Sequence, residues 1–155
     1  ASVHIWVARR RLGGMEFLLQ KRAEDKDSFP GCWDAATTGH IDAGEDPISA
    51  AIRELGEEIG VKARPSELVL LCRRKVSEDN VFHGKRFLNN EIKWVFLFKG
   101  NLSETTFRYE KEEISGVDWH SATDIKYALE HNDPRYCIDL REFREVVRCA
   151  DDILP

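Results

Sequence analysis

Three glutamates, Glu54, Glu57 and Glu58, stand at positions i, i+3 and i+4 of one segment. On an α-helix, which turns about 100° per residue, that spacing gathers them within roughly 100° of arc. Like charges so placed repel by about 0.2–0.5 kcal/mol per exposed pair. A solvated acidic face accommodates them; so does a site for a hard divalent cation such as Mg²⁺ or Mn²⁺. Such an ion takes oxygen ligands and needs no all-protein cage. The carboxylates alone do not choose between the two. The helix that carries them is legible. Asp46 is placed to cap it, Pro47 sits in the first turn, where its missing N–H costs nothing, and Gly60 ends it. Ile48, Ile52, Leu55 and Ile59 recur at helical spacing, which predicts an apolar stripe against a core and the acids on the opposite side.

Other segments must hold that helix in place. Val3–Ala8 and Phe17–Leu19 read as a strand pair around the turn-like Leu12-Gly13-Gly14. A charged loop, Ala23 to Gly31, leads to two short extended pieces, Trp33–Thr37 and Gly39–Ile41. Leu68–Val76 and Ile92–Phe98 are β-type runs joined by a polar stretch predicted as a long loop, and Ile114–Trp119 is a shorter strand. Ser121–His131 and Ile138–Ile153 read as helices, the first with Ser121 and Asp124 as a capping pair. Several strands, one central helix and two late helices predict a mixed α+β or α/β/α sandwich, with residues 1–155 as a single domain.

Composition narrows the partners. The chain has 155 residues, 23 basic and 28 acidic, for a formal net charge of −5. That argues against a nucleic-acid polymer or a membrane surface as partner, since each asks for a basic face. The 42% hydrophobic content is enough for a folded core. No run approaches the length of a membrane span, and the opening Ala1-Ser2-Val3-His4-Ile5-Trp6 does not read as a secretory leader. Cys32, Cys72, Cys137 and Cys149 form no C-x-x-C pair, which reads as free thiols in a reducing compartment, the cytoplasm.

The surroundings of the acids are more specific. Gly39, Glu45, Arg53-Glu54-Leu55, Glu57-Glu58 and Gly60-Val61 fall at the spacing G-x5-E-x7-R-E-U-x-E-E-x-G-U, with U apolar. This resembles the Nudix box at every specified position, and a chance match in such a chain has odds on the order of 10⁻⁷. The resemblance implies a Nudix-type α/β/α sandwich with a mixed β-sheet. It also implies a metal-dependent pyrophosphohydrolase that cleaves a diphosphate bond in a small, nucleoside diphosphate-linked substrate with Mg²⁺ or Mn²⁺. It casts Glu57 and Glu58 as metal ligands, Glu54 as ligand or general base, and Gly39 beside the metal. Arg53 orients the cluster through a carboxylate such as Glu45.

Lys21-Arg22-Ala23, Phe29-Pro30-Gly31-Cys32-Trp33-Asp34 and Gly39-His40 resemble the branch that includes isopentenyl-diphosphate isomerase. The resemblance places Arg22 and Lys26 where that enzyme grips a diphosphate, and Glu91 as an additional metal ligand or base. Asn89 stands where the isomerase has a second acid, and His40 matches a metal-binding His. Thr38 occupies the position of the isomerase's catalytic Cys, and its hydroxyl is far less acidic than a thiol. The expectation is therefore a hydrolase; an isoprenoid-diphosphate isomerase-like enzyme and a non-catalytic diphosphate-binding module are the alternatives. Glu113 is a reserve acid, and Lys85-Arg86 could reach a second phosphate. Trp33, Phe82 and Phe87 could stack on a base or belong to the core. Arg9-Arg10-Arg11 and Arg73-Arg74-Lys75 are expected as solvated surface. A homodimer is compatible with the family.

Overall fold

The computed structural model describes residues 1–26, 29–82, 84–102, 107–110 and 112–155, except the side chains of 78–80, 82 and 87–89. Strand β1 (Ser2–Arg11) sends alternate side chains to opposite faces, so it serves two cores at once. The other strands of the sheet are β2 (Gly14–Arg22), β3 (Trp33–Ala35), β4 (Thr37–His40), β5 (Leu68–Phe82), β6 (Lys85–Phe98) and β7 (Ile114–Ser121). The main order is β3-β2-β1-β6-β5, with β7 on β2 and β4 on β1. The β1–β6 pair is parallel and the others antiparallel, so the sheet is mixed.

One edge of β1 has two partners. Val7 to Arg11 pair with β2, whereas Ser2 to Ile5 pair with β4. Beyond Leu18 the strand β2 pairs with β3 in place of β1, while β7 pairs with it from Glu16 to Arg22. A crevice opens where the two sets part.

Helix α1 (Pro47–Ile59) covers one face, burying Ala50, Ala51, Leu55 and Ile59 against Val3, Ile5, Val7, Leu18 and Phe96. Helices α2 (Ala122–Glu130) and α3 (Leu140–Ile153) cover the other through Ile125, Phe143 and Val146. There Trp6, Phe17 and Phe143 meet edge-on or tilted, with ring centroids 5.4 to 5.8 Å apart. The result is the expected α/β/α sandwich.

Three expectations are corrected. Ile48 is 40% exposed and Ile52 only partly buried, because the buried stripe of α1 is rotated toward Ala50 and Ala51. Small alanines carry little weight in an apolar pattern, yet they let the helix approach the sheet closely. The polar stretch 77–91 is not a loop: β5 and β6 continue as a hairpin. Ser77, Val81, Lys85, Arg86 and Asn90 are exposed there, so no apolar alternation marked it. The basic runs are not simply solvated either. Arg9 lies 4.1 Å from the Trp119 ring centroid and Arg73 5.2 Å from that of Trp94.

Arg74 reaches the buried Glu142 on α3, whose carboxylate accepts from Arg74 Nη1 at 3.1 Å and Trp6 Nε1 at 3.0 Å and lies 3.0 Å from His4 Nδ1. Burial alone would raise the Glu142 carboxyl; the charge and hydrogen bond of His4, with Trp6 and Arg74, hold it at about 2. Among the described residues no helix is long and apolar enough to cross a membrane.

Candidate active site

Helix α1 begins and ends as its sequence dictates. Asp46 accepts the Ser49 N–H at 2.9 Å, and Gly60 takes a left-handed φ of 71° to close the last turn. Arg53 is the hub of this region. Its guanidinium grips Glu45 with two donors at 2.9 Å and reaches Glu54 at 2.8 Å, Glu57 at 3.2 Å and the His40 carbonyl at 2.9 Å. One planar fork thus ties the loop before α1, the end of β4 and two acids of the helix. The Arg53 bonds, helped by the Asp42 N–H, hold the Glu45 carboxyl below its ordinary range.

The three glutamates do not share one solvent-facing arc. The rotation that buries Ala51 turns Glu54 and Glu58 under β4 and leaves Glu57 63% exposed. Glu58 accepts the Thr38 N–H at 2.8 Å and Gln20 Nε2 at 3.3 Å. Burial, reinforced by the neighbouring Glu54, still pushes its carboxyl up to about 7. Glu54 lies beneath Gly39: a Cβ there would stand 2.2 Å from the Glu54 carboxyl carbon. Burial raises the pKa of Glu54 too, despite Arg53.

A crevice of about 470 Å³ opens above these acids. Arg22, Lys26, Gly39, Glu54, Glu58 and Glu91 all line it. Glu57 lines an adjoining hollow with Glu54, Glu58, Glu110 and Glu113, while Arg53 lines neither and holds the acids from behind. Lys26 forms an ion pair with Glu113, so the reserve acid comes to the site beside the basic loop. Glu91 Oε1 is 3.6 Å from His40 Nδ1, with His40 exposed at the rim. Trp33 packs edge-on against His120 with centroids 4.4 Å apart, as part of the core. Lys85 and Arg86 belong to the hairpin and line no part of the crevice. The side chains of Phe82, Phe87 and Asn89 lie outside the described residues.

The sequence reading missed Ser2, Gln20, Asp34 and Lys93, which also line the crevice. Only Gln20 carried a signal, as the polar end of the buried run Phe17–Gln20.

The donor set fits a hard divalent cation. It consists of oxygen atoms, and two carboxyls are held at raised pKa, Glu54 paired with Arg53 and Glu58 without an ion pair among the described residues. The missing side chain of Gly39 leaves the space Glu54 occupies. Among the described residues no three His, Cys, Asp or Glu side chains are already converged as a cage. An ion that keeps several of its own waters does not require one.

Known proteins resemble this chain along most of its length. Nudix hydrolase 3 of Arabidopsis thaliana is 34% identical over 140 residues, which are 87% of this chain but 17% of that protein. An isopentenyl-diphosphate Delta-isomerase of Aliivibrio fischeri is 28% identical over 125 residues, 81% of this chain and 67% of that one. In three dimensions the fold matches a C. elegans Ap4A hydrolase in a binary complex, with a TM-score of 0.66 at 20% identity over 98% of both chains. The NUDIX domain family model matches residues 1–140. With the box helix, its Arg53 hub and the α/β/α layers in place, the chain belongs to the NUDIX domain family.

Proposed function

We propose that this protein hydrolyses a diphosphate bond in a small, nucleoside diphosphate-linked substrate, using Mg²⁺ or Mn²⁺. The observation that carries the reading is the pair Glu54 and Glu58, half-buried at raised pKa, in a crevice also lined by Arg22 and Lys26. Glu57 and Glu58 would hold the divalent ion, with Glu91 and Gly39 as further ligands and Glu54 as a further ligand or the general base. Such an ion would supply charge neutralisation at the diphosphate oxygens and a more acidic bound water. Arg22 and Lys26 bind the diphosphate oxygens and fix them against the acids. If it is not a ligand, Glu54 would take the proton of the attacking water as the new P–O bond forms and the bridging P–O bond breaks. Arg53 keeps Glu54 and Glu57 oriented. Thr38 uses its backbone N–H to position Glu58, and it offers no thiol for an isomerase's proton transfer. The four cysteines are free, in keeping with a cytoplasmic protein.

A panel of nucleoside diphosphate derivatives, dinucleotides and prenyl diphosphates, assayed for phosphate release with Mg²⁺, Mn²⁺ or EDTA, tests this reading. At least one member turns over with metal and not with EDTA, and Glu57→Gln lowers that rate by about 10²-fold or more. No turnover of any member, or a Glu57→Gln rate equal to wild type, would contradict it.

A further inference from the structure

The cations facing the crevice are not equally occupied. Lys26 pairs with Glu113, His40 lies against Glu91 and His4 against Glu142. Lys93 on β6 lines the same crevice, half-buried, and among the described residues its ammonium makes no hydrogen bond or ion pair. Partial burial of an ammonium without a counter-charge is costly. Beside it stands Ser2, only 6% exposed, whose hydroxyl has no hydrogen-bond partner and which also lines the crevice. A buried hydroxyl left unpaired is rare in a folded protein.

The sheet register brings these groups together. Ser2 is the Cα partner of Lys93 across the parallel β1–β6 ladder and of His40 across the antiparallel β1–β4 ladder. Ladder partners share a face at about 4.8 Å spacing. His40, Ser2 and Lys93 therefore form a lateral row of donors across β4, β1 and β6. Among the described residues, Asp34, Asp42, Glu54, Glu58, Glu91 and Glu113 also line the crevice; Glu91 is met by His40, Glu113 by Lys26 and Glu54 by Arg53, and none of them pairs with Lys93. Past Lys93, His4 and Asp34 the crevice continues into a smaller hollow of about 170 Å³, where Arg74 is paired with Asp139 and Glu142. Among the described residues no Phe, Tyr or Trp lines the main crevice, so it offers no face on which a base could stack there.

A row that donates and carries positive charge suits a ligand that only accepts. We propose that Ser2 and Lys93, flanked by His40, form a ledge for a phosphate group beyond the diphosphate that is cleaved. The substrate class is then a compound with at least three linked phosphates. The placement of the cleaved diphosphate rests on the hydrolase reading above; the ledge itself is a statement about binding.

Inorganic tripolyphosphate and pyrophosphate, titrated calorimetrically into the whole protein at fixed Mg²⁺, test the ledge. Wild type binds tripolyphosphate more tightly than pyrophosphate. Lys93→Ala shrinks that preference by about tenfold, Lys93→Arg keeps most of it, and Ser2→Ala shrinks it severalfold. Equal weakening of both probes by Lys93→Ala, an unchanged preference, or Lys93→Arg losing as much as Lys93→Ala would overturn the proposal. The two readings fail separately. Hydrolysis of a panel member with an unchanged preference in Lys93→Ala removes the ledge and leaves the hydrolase. A lost preference in a protein that hydrolyses nothing supports the ledge and removes the hydrolase.

Discussion

Glu58 illustrates how a single side chain can oppose folding and serve a site. Its carboxyl sits at about 7 in the folded chain against an ordinary 4.5. The folded state therefore binds its proton more tightly than the unfolded state does. The resulting cost is absent below pH 4.5, grows as the pH rises and is complete above about 7. Its size is of order 3 kcal/mol. Glu58→Gln keeps an acceptor for the Thr38 N–H and removes the charge. Without divalent ions at pH 8, thermal melts should show the variant more stable than wild type, and the two should converge near pH 4.5. A variant less stable at pH 8 would mean that the carboxylate is already compensated. The identity of Glu58 was legible from the box spacing, but its burial was not. Burial depends on Gln20 and the Thr38 N–H, which approach from β2 and β4, far away in sequence.

At the scale of elements, α1 and β4 form one unit. Gly39 has no side chain because the Glu54 carboxyl fills that space. Glu54 is the flexible end of a side chain, so Gly39→Ala should move the carboxyl rather than break the fold. Displacement of a catalytic group by about 1 Å can cost about 10²-fold in rate. The expected outcome is a loss of that order in metal-dependent hydrolysis with a melting temperature close to wild type; full activity would show that Glu54 is not needed where it sits. Asp46→Ala should instead cost about 1 kcal/mol of stability through the lost N-cap, measured by denaturant unfolding. The caps of α1, both late helices and the β1–β2 pair could be read directly from local residue types. Rotation of α1 could not, because Ala50 and Ala51 decide it through their closeness to Val3 and Ile5. The β5–β6 hairpin was also hidden, since the described residues Ser77, Val81, Arg86 and Asn90, which share one face, are exposed there and give no apolar pattern.

Across the whole molecule, the Glu142 cluster joins α3 to β1 and β5. Glu142 has its carboxyl lowered to about 2, so its contribution is present above pH 4.5 and lost as the pH falls through about 2. His4 is opposed by burial, but Glu142 outweighs it and raises its pKa above 6.5. Its contribution is full below pH 6.5 and lost as the pH climbs through the raised value. Both act together between pH 4.5 and 6.5. Glu142→Ala, which leaves His4 and Arg74 without their anion, should destabilise by roughly 3–5 kcal/mol in that window and by less at pH 2. A pH-independent difference in denaturant midpoints would contradict the assignment. The cluster was not legible in sequence, because Glu142 is one more acid on a charged helix until the sheet brings His4, Trp6 and Arg74 to it.

The central claim is that Glu58, buried and without an ion-pair partner among the described residues, binds a divalent ion together with its α1 neighbours. The most direct measurement is uptake of Mn²⁺ at pH 7.5, read from the free-ion electron paramagnetic resonance signal, for wild type and Glu58→Gln. Wild type should remove the free signal at a Mn²⁺ concentration at least about tenfold lower than the variant does, a difference of roughly 1.4 kcal/mol in binding. Equal uptake by the two proteins, or none by wild type, would contradict the account.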